Sequence, residues 1–305
     1  MTPPLPAAVP DVATTADAIL RSIRPAIVPT RNGPIECAVE REGPAVLAVH
    51  GAMGGYDQSM VLARAVVGPG HRTVAVSRPG YLGTPLAAGR TPEEQADRFA
   101  DLLDALGIGA AVVVAVSGGG LNALQFALRH PGRCRGLVMV SACSAPLRTR
   151  IPLRFLLLRL LARCGPLTAA MRRKVAADPE RAASRSVRDP ELRRRTLADP
   201  EAGPLFTALL LSTAERMGER MAGTRNDIAR SRGPADYPLE RIACPTLVVH
   251  GSADALVPVA DARRLAARVP GAELMEIDGG EHVAVFTHRE AVRRRVGAFL
   301  GTVAG

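Results

Sequence analysis

Ser117 is the residue whose surroundings favour nucleophilic chemistry. It stands in VAVSGGGLNAL (residues 114–124), where an apolar strand-like segment passes through one serine and three glycines into a helical pattern. A serine at such a strand-to-helix turn is held in a strained backbone conformation with its hydroxyl exposed above the sheet. Small residues are needed two positions before and after it, because the strand and the helix approach closely there. Gly119 supplies one of them, and we expect Ala115 to serve as the other.

A serine hydroxyl is a weak nucleophile, so it needs a base, an acid that orients the base, and donors for the developing oxyanion. Among the six histidines, His282 is the candidate base, because it follows the last strand-like segment within the glycine-rich DGGEHVAVFTH. Asp254 follows the strand-like LVVHG, and a buried carboxylate there would hold the imidazole tautomer whose free nitrogen faces the serine. Three other acids fit less well, because of a helical setting, closeness in sequence to His282, or an outward direction: Asp261, Asp278 and Glu281.

The donors for the oxyanion belong to two loops. One donor is the backbone N–H of Gly118 at the start of the helix, where the helix dipole also favours negative charge. The other belongs to HGAMGG (residues 50–55), where we expect the Ala52 amide to serve, with the Met53 amide as the neighbouring candidate. These residues predict nucleophilic catalysis at Ser117 and imply no metal ion and no organic cofactor.

Six apolar runs have the length of strands and lead into these loops. Most are apolar at consecutive positions, as expected of strands that helices cover on both faces. Between the second and third runs, residues 91–107 predict a helix with a capping box formed by Thr91 and Glu94. Strands that alternate with helices predict a mainly parallel sheet, whose active site lies beyond the carboxyl ends of the strands. The runs are residues 44–51, 72–80, 110–117, 136–143, 244–251 and 272–279.

The alternation of strands and helices stops near Pro146 and resumes near Pro238. The intervening segment begins with the leucine-rich IPLRFLLLRLLARCG (residues 151–165) and continues in helical patterns. We predict that it forms a helical cap over the strand ends, because its leucines need an apolar surface to cover. The predicted domains are an N-terminal tail with a short helix (1–24), a core (25–146 and 237–305) and the cap (147–236).

The composition is that of a globular protein, with 47% hydrophobic and 22% charged residues among 305. No apolar run reaches the roughly 18 to 20 residues that cross a bilayer. The amino terminus also lacks the pattern of a secretory signal. We therefore expect no transmembrane helix and a cytoplasmic protein. The five cysteines are an odd number without a C-x-x-C pair, which argues against a disulfide framework and a zinc site and favours free thiols.

The net charge of +10 comes from one segment of the chain. Between Arg148 and Arg195, thirteen arginines and one lysine stand against four acidic residues. No nucleic-acid motif or aromatic stacking platform accompanies this excess, so we expect no nucleic-acid partner. We interpret the excess as a solvated basic face of the cap. Attraction of an acidic substrate or weak contact with an anionic membrane surface is the alternative.

The ordered set HGAMGG, SRPGY, AVSGG, HGSAD-x-x-VP and GGEH resembles the α/β-hydrolase superfamily. Its serine, acid and histidine follow the family's order along the chain. The resemblance covers nearly all of the chain outside the cap and the tail. It implies an α/β fold with a mostly parallel eight-stranded sheet flanked by helices, the catalytic triad Ser117, Asp254 and His282, and a helical cap inserted after the sixth strand.

We expect an enzyme that hydrolyses the carboxylic ester of a hydrophobic small molecule through an acyl-enzyme. The leucine-rich start of the cap and the 3% of aromatic residues favour an aliphatic pocket. A C–C bond hydrolase of ring-cleavage products, a proline iminopeptidase and a perhydrolase are alternatives. The C–C hydrolases usually carry a tryptophan just after the catalytic histidine, where this chain has Val283. A ligand receptor with a hydrolase fold is the non-enzymatic alternative.

Overall fold

One eight-stranded sheet forms the centre of the computed structural model, which describes residues 11–145, 161–230 and 237–303. The strands are β1 Pro25–Val28, β2 Ile35–Glu40, β3 Ala45–Val49, β4 Arg72–Val76, β5 Ala111–Val116, β6 Cys134–Val140, β7 Thr246–Gly251 and β8 Glu273–Ile277. Their order across the sheet is β1-β2-β4-β3-β5-β6-β7-β8. Strand β2 runs antiparallel to β1 and β4, and every other neighbouring pair is parallel. The expected mostly parallel eight-stranded sheet is confirmed.

The carboxyl ends of the central strands meet at one edge of the sheet. Val49, the last residue of β3, lies beside Ala115 of β5. Val116 at the end of β5 lies beside Val140 of β6, which in turn lies beside Val249 of β7. The chain therefore leaves β3, β5, β6 and β7 at one edge, where their following loops can form a common site.

Helices flank the sheet and fill the segment between β6 and β7. Within the described ranges the α-helices are α1 Val12–Ser22, α2 Tyr56–Val66, α3 Pro92–Ala105, α4 Gly120–Arg129, α5 Gly165–Ala177, α6 Pro179–Ala183, α7 Pro190–Ala198, α8 Ala202–Ala214, α9 Met217–Arg230, α10 Val259–Arg268, α11 Ala284–Thr287 and α12 Arg289–Val303. Helix α3 begins as the sequence predicts. The Thr91 hydroxyl accepts from the Glu94 N–H at 3.1 Å, and the Glu94 carboxylate accepts from the Thr91 N–H at 3.0 Å.

The apolar core lies on both faces of the sheet. In β3, Val46 and Ala48 belong to a cluster with α2 and α12, whereas Leu47 and Val49 belong to a cluster with α3 and α4. Side chains alternate between the two faces of a strand, so a strand covered by helices on both sides must be apolar at consecutive positions. This burial explains the continuous apolar runs from which six strands were predicted.

The described parts of residues 147–236 form helices α5 to α9 and contain no strand. Most of the leucine-rich stretch 151–165 lies outside the described residues. Helix α8 is largely buried, packs against α1 and α2, and shares an apolar cluster with the sheet. The division into a core and a cap stays a prediction. No helix among the described residues is both long enough and apolar enough to cross a membrane.

Candidate active site

Ser117 lies in the turn that joins β5 to α4, and its backbone φ is +51°. This is the left-handed region, which serine rarely adopts and which costs on the order of 1–3 kcal/mol. The surrounding structure holds the residue there, since β5 is paired on both sides and the Ser117 carbonyl accepts from the Cys143 N–H at 3.0 Å. The strained strand-to-helix turn expected from the sequence is therefore present.

Small residues surround the turn because backbone segments crowd it. A Cβ on Gly119 would lie 2.6 Å from the His50 carbonyl oxygen, and one on Gly51 would lie 2.8 Å from Cβ of Ser117. The loop after β3 therefore lies directly against the Ser117 turn. Ala115, whose methyl group stands where such turns usually carry a glycine, is fully buried within β5.

Asp254 and His282 are brought together from the loops that follow β7 and β8. The Asp254 Oδ2 atom lies 2.8 Å from Nδ1 of His282 and 3.4 Å from Nε2 of His250. The other carboxylate oxygen accepts from the backbone N–H groups of Leu256 at 2.8 Å and Val257 at 3.0 Å. Burial raises the pKa of Asp254, but the hydrogen bonds from His250 and His282 outweigh it and hold that pKa well below its usual range. Asp254 is therefore a carboxylate at neutral pH.

This carboxylate selects one tautomer of His282. Because Asp254 accepts at Nδ1, that nitrogen carries the proton and Nε2 keeps its lone pair. Among the described residues the Ser117 hydroxyl makes no hydrogen bond, so the structure joins Asp254 to His282 but does not bond Ser117 to either of them. Catalytic hydrogen bonds are often long in ligand-free enzymes and tighten only with substrate.

The other acids considered from the sequence have other partners. Asp261 lies in α10, and Asp278 accepts from the Ser252 hydroxyl at 3.3 Å. Glu281 pairs with Arg188 at 3.0 Å. None of these three carboxylates forms a hydrogen bond or ion pair with the His282 ring in the described part of the chain.

The loop after β3 brings the Ala52 backbone amide beside the Ser117 turn. A Cβ on Gly118 would lie 3.6 Å from the Ala52 nitrogen, so the two residues are neighbours across the loops. The Met53 N–H already donates to the Thr224 hydroxyl at 3.1 Å. The Ala52 N–H has no acceptor within the described ranges. Of the two candidates in HGAMGG, Ala52 therefore has the available amide.

A cavity of about 150 Å³ opens beside Ser117. Ala52, Gly118 and Cys143 line it, together with residues of α3, α4 and α9. Burial raises the pKa of Cys143 to about 12, which keeps this thiol neutral and unreactive. His282 is not part of the lining, although the cavity reaches the turn that carries Ser117.

Arg78 and Asp227, which the sequence analysis did not select, also lie beside this turn. Arg78 follows β4 in SRPGY and is fully buried, and Asp227 lies in α9 and lines the cavity. A Cβ on Gly118 would lie 3.7 Å from the Asp227 carboxylate and 4.0 Å from the Arg78 guanidinium. The SRPGY motif was a signal for Arg78. No signal in the sequence marked Asp227.

Comparison with known proteins gives consistent matches. Residues 44–289 match the profile of the family described as alpha/beta hydrolase fold. The chain is 32% identical over 234 residues to the poly(3-hydroxyalkanoate) depolymerase of Ectopseudomonas oleovorans, covering 76% of each protein. It is 25% identical over 223 residues to the 2-hydroxymuconate semialdehyde hydrolase of Pseudomonas putida, covering 72% of this chain and 73% of that protein. The solved structure of an alpha/beta hydrolase fold protein from Nakamurella multipartita has a TM-score of 0.83 and 36% identity, covering 92% of this chain and 100% of that chain.

Proposed function

We propose that this chain, which belongs to the alpha/beta hydrolase fold family, is a serine hydrolase of carboxylic esters with Ser117 as its nucleophile. The observation that carries this proposal is that Ser117, whose backbone φ is in the left-handed region, lines a cavity. The Asp254–His282 pair lies at the same edge of the sheet. A hydroxyl held in a strained turn beside an open cavity is available for attack on a bound carbonyl group.

The proposed reaction proceeds through an acyl-enzyme. Nε2 of His282 removes the proton from Ser117 while Oγ attacks the ester carbonyl carbon, and Asp254 stabilises the imidazolium that forms. The carbonyl oxygen becomes an oxyanion that accepts from the N–H groups of Gly118 and Ala52. Protonated His282 then gives its proton to the departing alcohol. Water attacks the acyl-enzyme by the same steps and releases the carboxylic acid and free Ser117.

The choice of bond and substrate rests on the cavity and on the relatives. Leu121, Ala145 and Ile228 give the cavity apolar walls, which suits a hydrophobic small molecule. Poly(3-hydroxyalkanoate), the polymer in the name of the Ectopseudomonas oleovorans relative, is a polyester. The second candidate is cleavage of a C–C bond, which the similarity to the semialdehyde hydrolase favours. Val283 after His282, and the absence of tryptophan from the sequence, favour the ester.

Labelling with a fluorophosphonate, combined with substrate profiling, tests this proposal. We expect one adduct on Ser117 and turnover of p-nitrophenyl esters in the wild type, and neither in Ser117→Ala. The matched control is Ser141→Ala, because Ser141 is also left-handed, with φ +43°, and also follows a strand, but does not line the cavity. It should label and turn over as the wild type does.

Two results would overturn parts of the proposal. A folded wild type that takes no label on Ser117 but binds a hydrophobic ligand would be a receptor. Turnover of a vinylogous diketone alone, with no ester hydrolysed, would replace the ester with a C–C bond.

A further inference from the structure

The buried guanidinium of Arg78 connects α9 to the loop after β3. Its Nη1 and Nη2 atoms donate to the two carboxylate oxygens of Asp227 at 3.1 and 2.6 Å. The Nε atom donates to the His50 carbonyl at 3.0 Å, and Nη2 also donates to the Gly51 carbonyl at 3.1 Å. One side chain thus holds Asp227 on one side and two consecutive backbone carbonyls of the HGAMGG loop on the other.

These contacts fix the orientation of the peptide group that joins Gly51 to Ala52. Its oxygen accepts from Arg78 and also from Nδ1 of His50 at 2.6 Å. His50 can donate there because its Nε2 accepts from the Arg78 N–H at 3.0 Å, which leaves the ring proton on Nδ1. In a trans peptide the C=O and N–H groups point in opposite directions. With its oxygen held by two donors, the group directs the Ala52 N–H away from Arg78.

Asp227 is the charged partner of Arg78. A buried guanidinium needs an acceptor for each of its donors and a compensating charge. Apart from Asp227, its side-chain contacts are long, at 3.3 Å to Gln95 and Tyr81 and 3.4 Å to Asn122. Asp227 is the carboxylate that pairs with Arg78 in the described part of the chain, and it also accepts from the Tyr81 hydroxyl at 2.6 Å.

The backbone of α9 is held against the SRPGY loop four residues before Asp227. The Gly223 N–H donates to the Gly80 carbonyl at 2.7 Å, two residues after Arg78 in the chain. No side chain separates the two segments there, because a Cβ on Gly80 would lie 2.8 Å from Cα of Gly223. The Asp227 carboxylate therefore reaches Arg78 from a helix that packs directly on the SRPGY loop.

We propose that Asp227 is a positioning residue for the oxyanion donor of this enzyme. Through Arg78 it holds the Gly51–Ala52 peptide group so that the Ala52 N–H stays directed at the oxyanion. The kinetic consequence rests on the proposed function, because only a reaction that forms an oxyanion uses this donor. The structural consequence, a fixed peptide orientation, does not depend on the reaction.

The test is Asp227→Asn, with Glu40→Gln as the matched control. Glu40 forms a two-pronged pair with Arg64 and lies on β2 away from the cavity, and its side chain is about as exposed as that of Asp227, 22% against 19%. A donor that acts only in the transition state changes kcat more than KM. Loss of one oxyanion donor costs about 100- to 1000-fold in kcat, so a misdirected one should cost about 10- to 100-fold. Glu40→Gln should stay within about twofold of the wild type, since it touches none of these groups.

A crystal structure of Asp227→Asn supplies the second measurement, and we expect the Gly51–Ala52 peptide group to be rotated or split between two orientations. An unchanged peptide group with unchanged kcat would overturn the proposal. A raised KM with unchanged kcat would also overturn it, because Asp227 would then contact substrate instead. If the wild type cleaves no ester but the peptide group still rotates in the variant, the proposed function fails and the positioning role stands.

Arg78→Lys decides the question if Asp227→Asn does not fold. A lysine keeps the charge, but its single ammonium group cannot reach Asp227 and the carbonyls of His50 and Gly51 together. We expect the same loss of kcat and the same loosening of the peptide group. Wild-type kcat and an unmoved peptide in Arg78→Lys would refute the connection.

Discussion

Replacement of Asp254 by asparagine tests the role of the carboxylate with little change of shape. The two carboxylate oxygens have different partners. Oδ1 accepts from the backbone N–H groups of Leu256 and Val257 at 2.8 and 3.0 Å, whereas Oδ2 faces His282 at 2.8 Å. Only an acceptor satisfies two N–H donors, so the amide oxygen of the introduced asparagine must take the Oδ1 position. Its NH₂ group then points at Nδ1 of His282.

The expected loss follows from this arrangement. A donor facing Nδ1 moves the imidazole proton to Nε2, so the nitrogen required by Ser117 loses its lone pair. The variant also lacks the negative charge that stabilises the imidazolium. In serine hydrolases with this geometry the same change lowers kcat about 10⁴-fold. We expect a loss of about 10³- to 10⁴-fold in kcat here, which corresponds to about 4–5.5 kcal/mol in the activation barrier.

The assay is the steady-state hydrolysis of p-nitrophenyl butyrate at pH 8, together with the rate of fluorophosphonate labelling. Asp278→Asn is the control, because Asp278 is exposed and bonds only to Ser252 within the described ranges. It should stay within about twofold of the wild type, as surface changes usually do. If Asp254→Asn keeps more than a tenth of wild-type kcat, or if Asp278→Asn loses as much activity, Asp254 does not have this role.

Two further predictions concern stability. Since Ser117 has φ +51°, Ser117→Gly should be more stable than Ser117→Ala by about 1 kcal/mol, because glycine adopts the left-handed region without strain; thermal denaturation measures the difference, and a more stable alanine variant would contradict it. Burial raises the pKa of Asp254, but the hydrogen bonds with His250 and His282 lower it by more, so it lies below the ordinary value of 3.8. Its contribution to stability is therefore complete above about pH 5 and is lost as the pH falls below 4. Urea denaturation from pH 5 to pH 2.5 should show a steeper loss for the wild type than for Asp254→Asn, and parallel curves would count against this linkage.

The sequence predicted strands well where helices bury both faces. Strands β3 to β8 were all found as apolar runs, although β8 is more exposed than the others. Strands β1 and β2 were not found as runs, and only the family resemblance implied them. PAIV of β1 is short and mostly exposed, and IECAVE of β2 includes Glu36. That carboxylate is buried because it accepts from Ser77 at 2.8 Å and from the Gly83 N–H at 2.9 Å. No local sequence pattern predicts such hydrogen-bond partners.

The sequence also predicted some residues of the candidate site and missed others. Ser117, Asp254 and His282 each follow a predicted strand, so their loops could be named from the sequence. Arg78 and Asp227 are 149 residues apart, and their pairing exists only after α9 has packed on the SRPGY loop. Asp227 stands in an ordinary helical pattern, TRNDIAR, where a carboxylate is usually a solvated charge. Ion pairs of this kind depend on tertiary packing, so no periodic pattern in the sequence predicts them.

The net charge of the basic segment also did not predict how its charges are arranged in the structure. Several arginines of the basic segment pair with acids of other elements, as Arg172 does with Asp17 and Arg188 with Glu281. Such pairs at a surface contribute on the order of 0–1 kcal/mol each. They nevertheless distribute the charge, so the net excess read from the sequence does not by itself describe a continuous basic face.

Two ion pairs hold helix α9 against the rest of the molecule, and α9 supplies the arginine of one pair and the carboxylate of the other. Arg220 of α9 donates to Asp57 of α2 at 3.1 and 2.5 Å, whereas Asp227 of α9 accepts from Arg78. Residues seven apart share one face of a helix, so both pairs form together in a single register. A shift of α9 by one turn would separate both arginines from their carboxylates, and a buried charge without a compensating charge costs far more than the pairs gain. The two pairs therefore contribute specificity of packing more than stability, and the position they specify for Asp227 is the one that orients the Gly51–Ala52 peptide group.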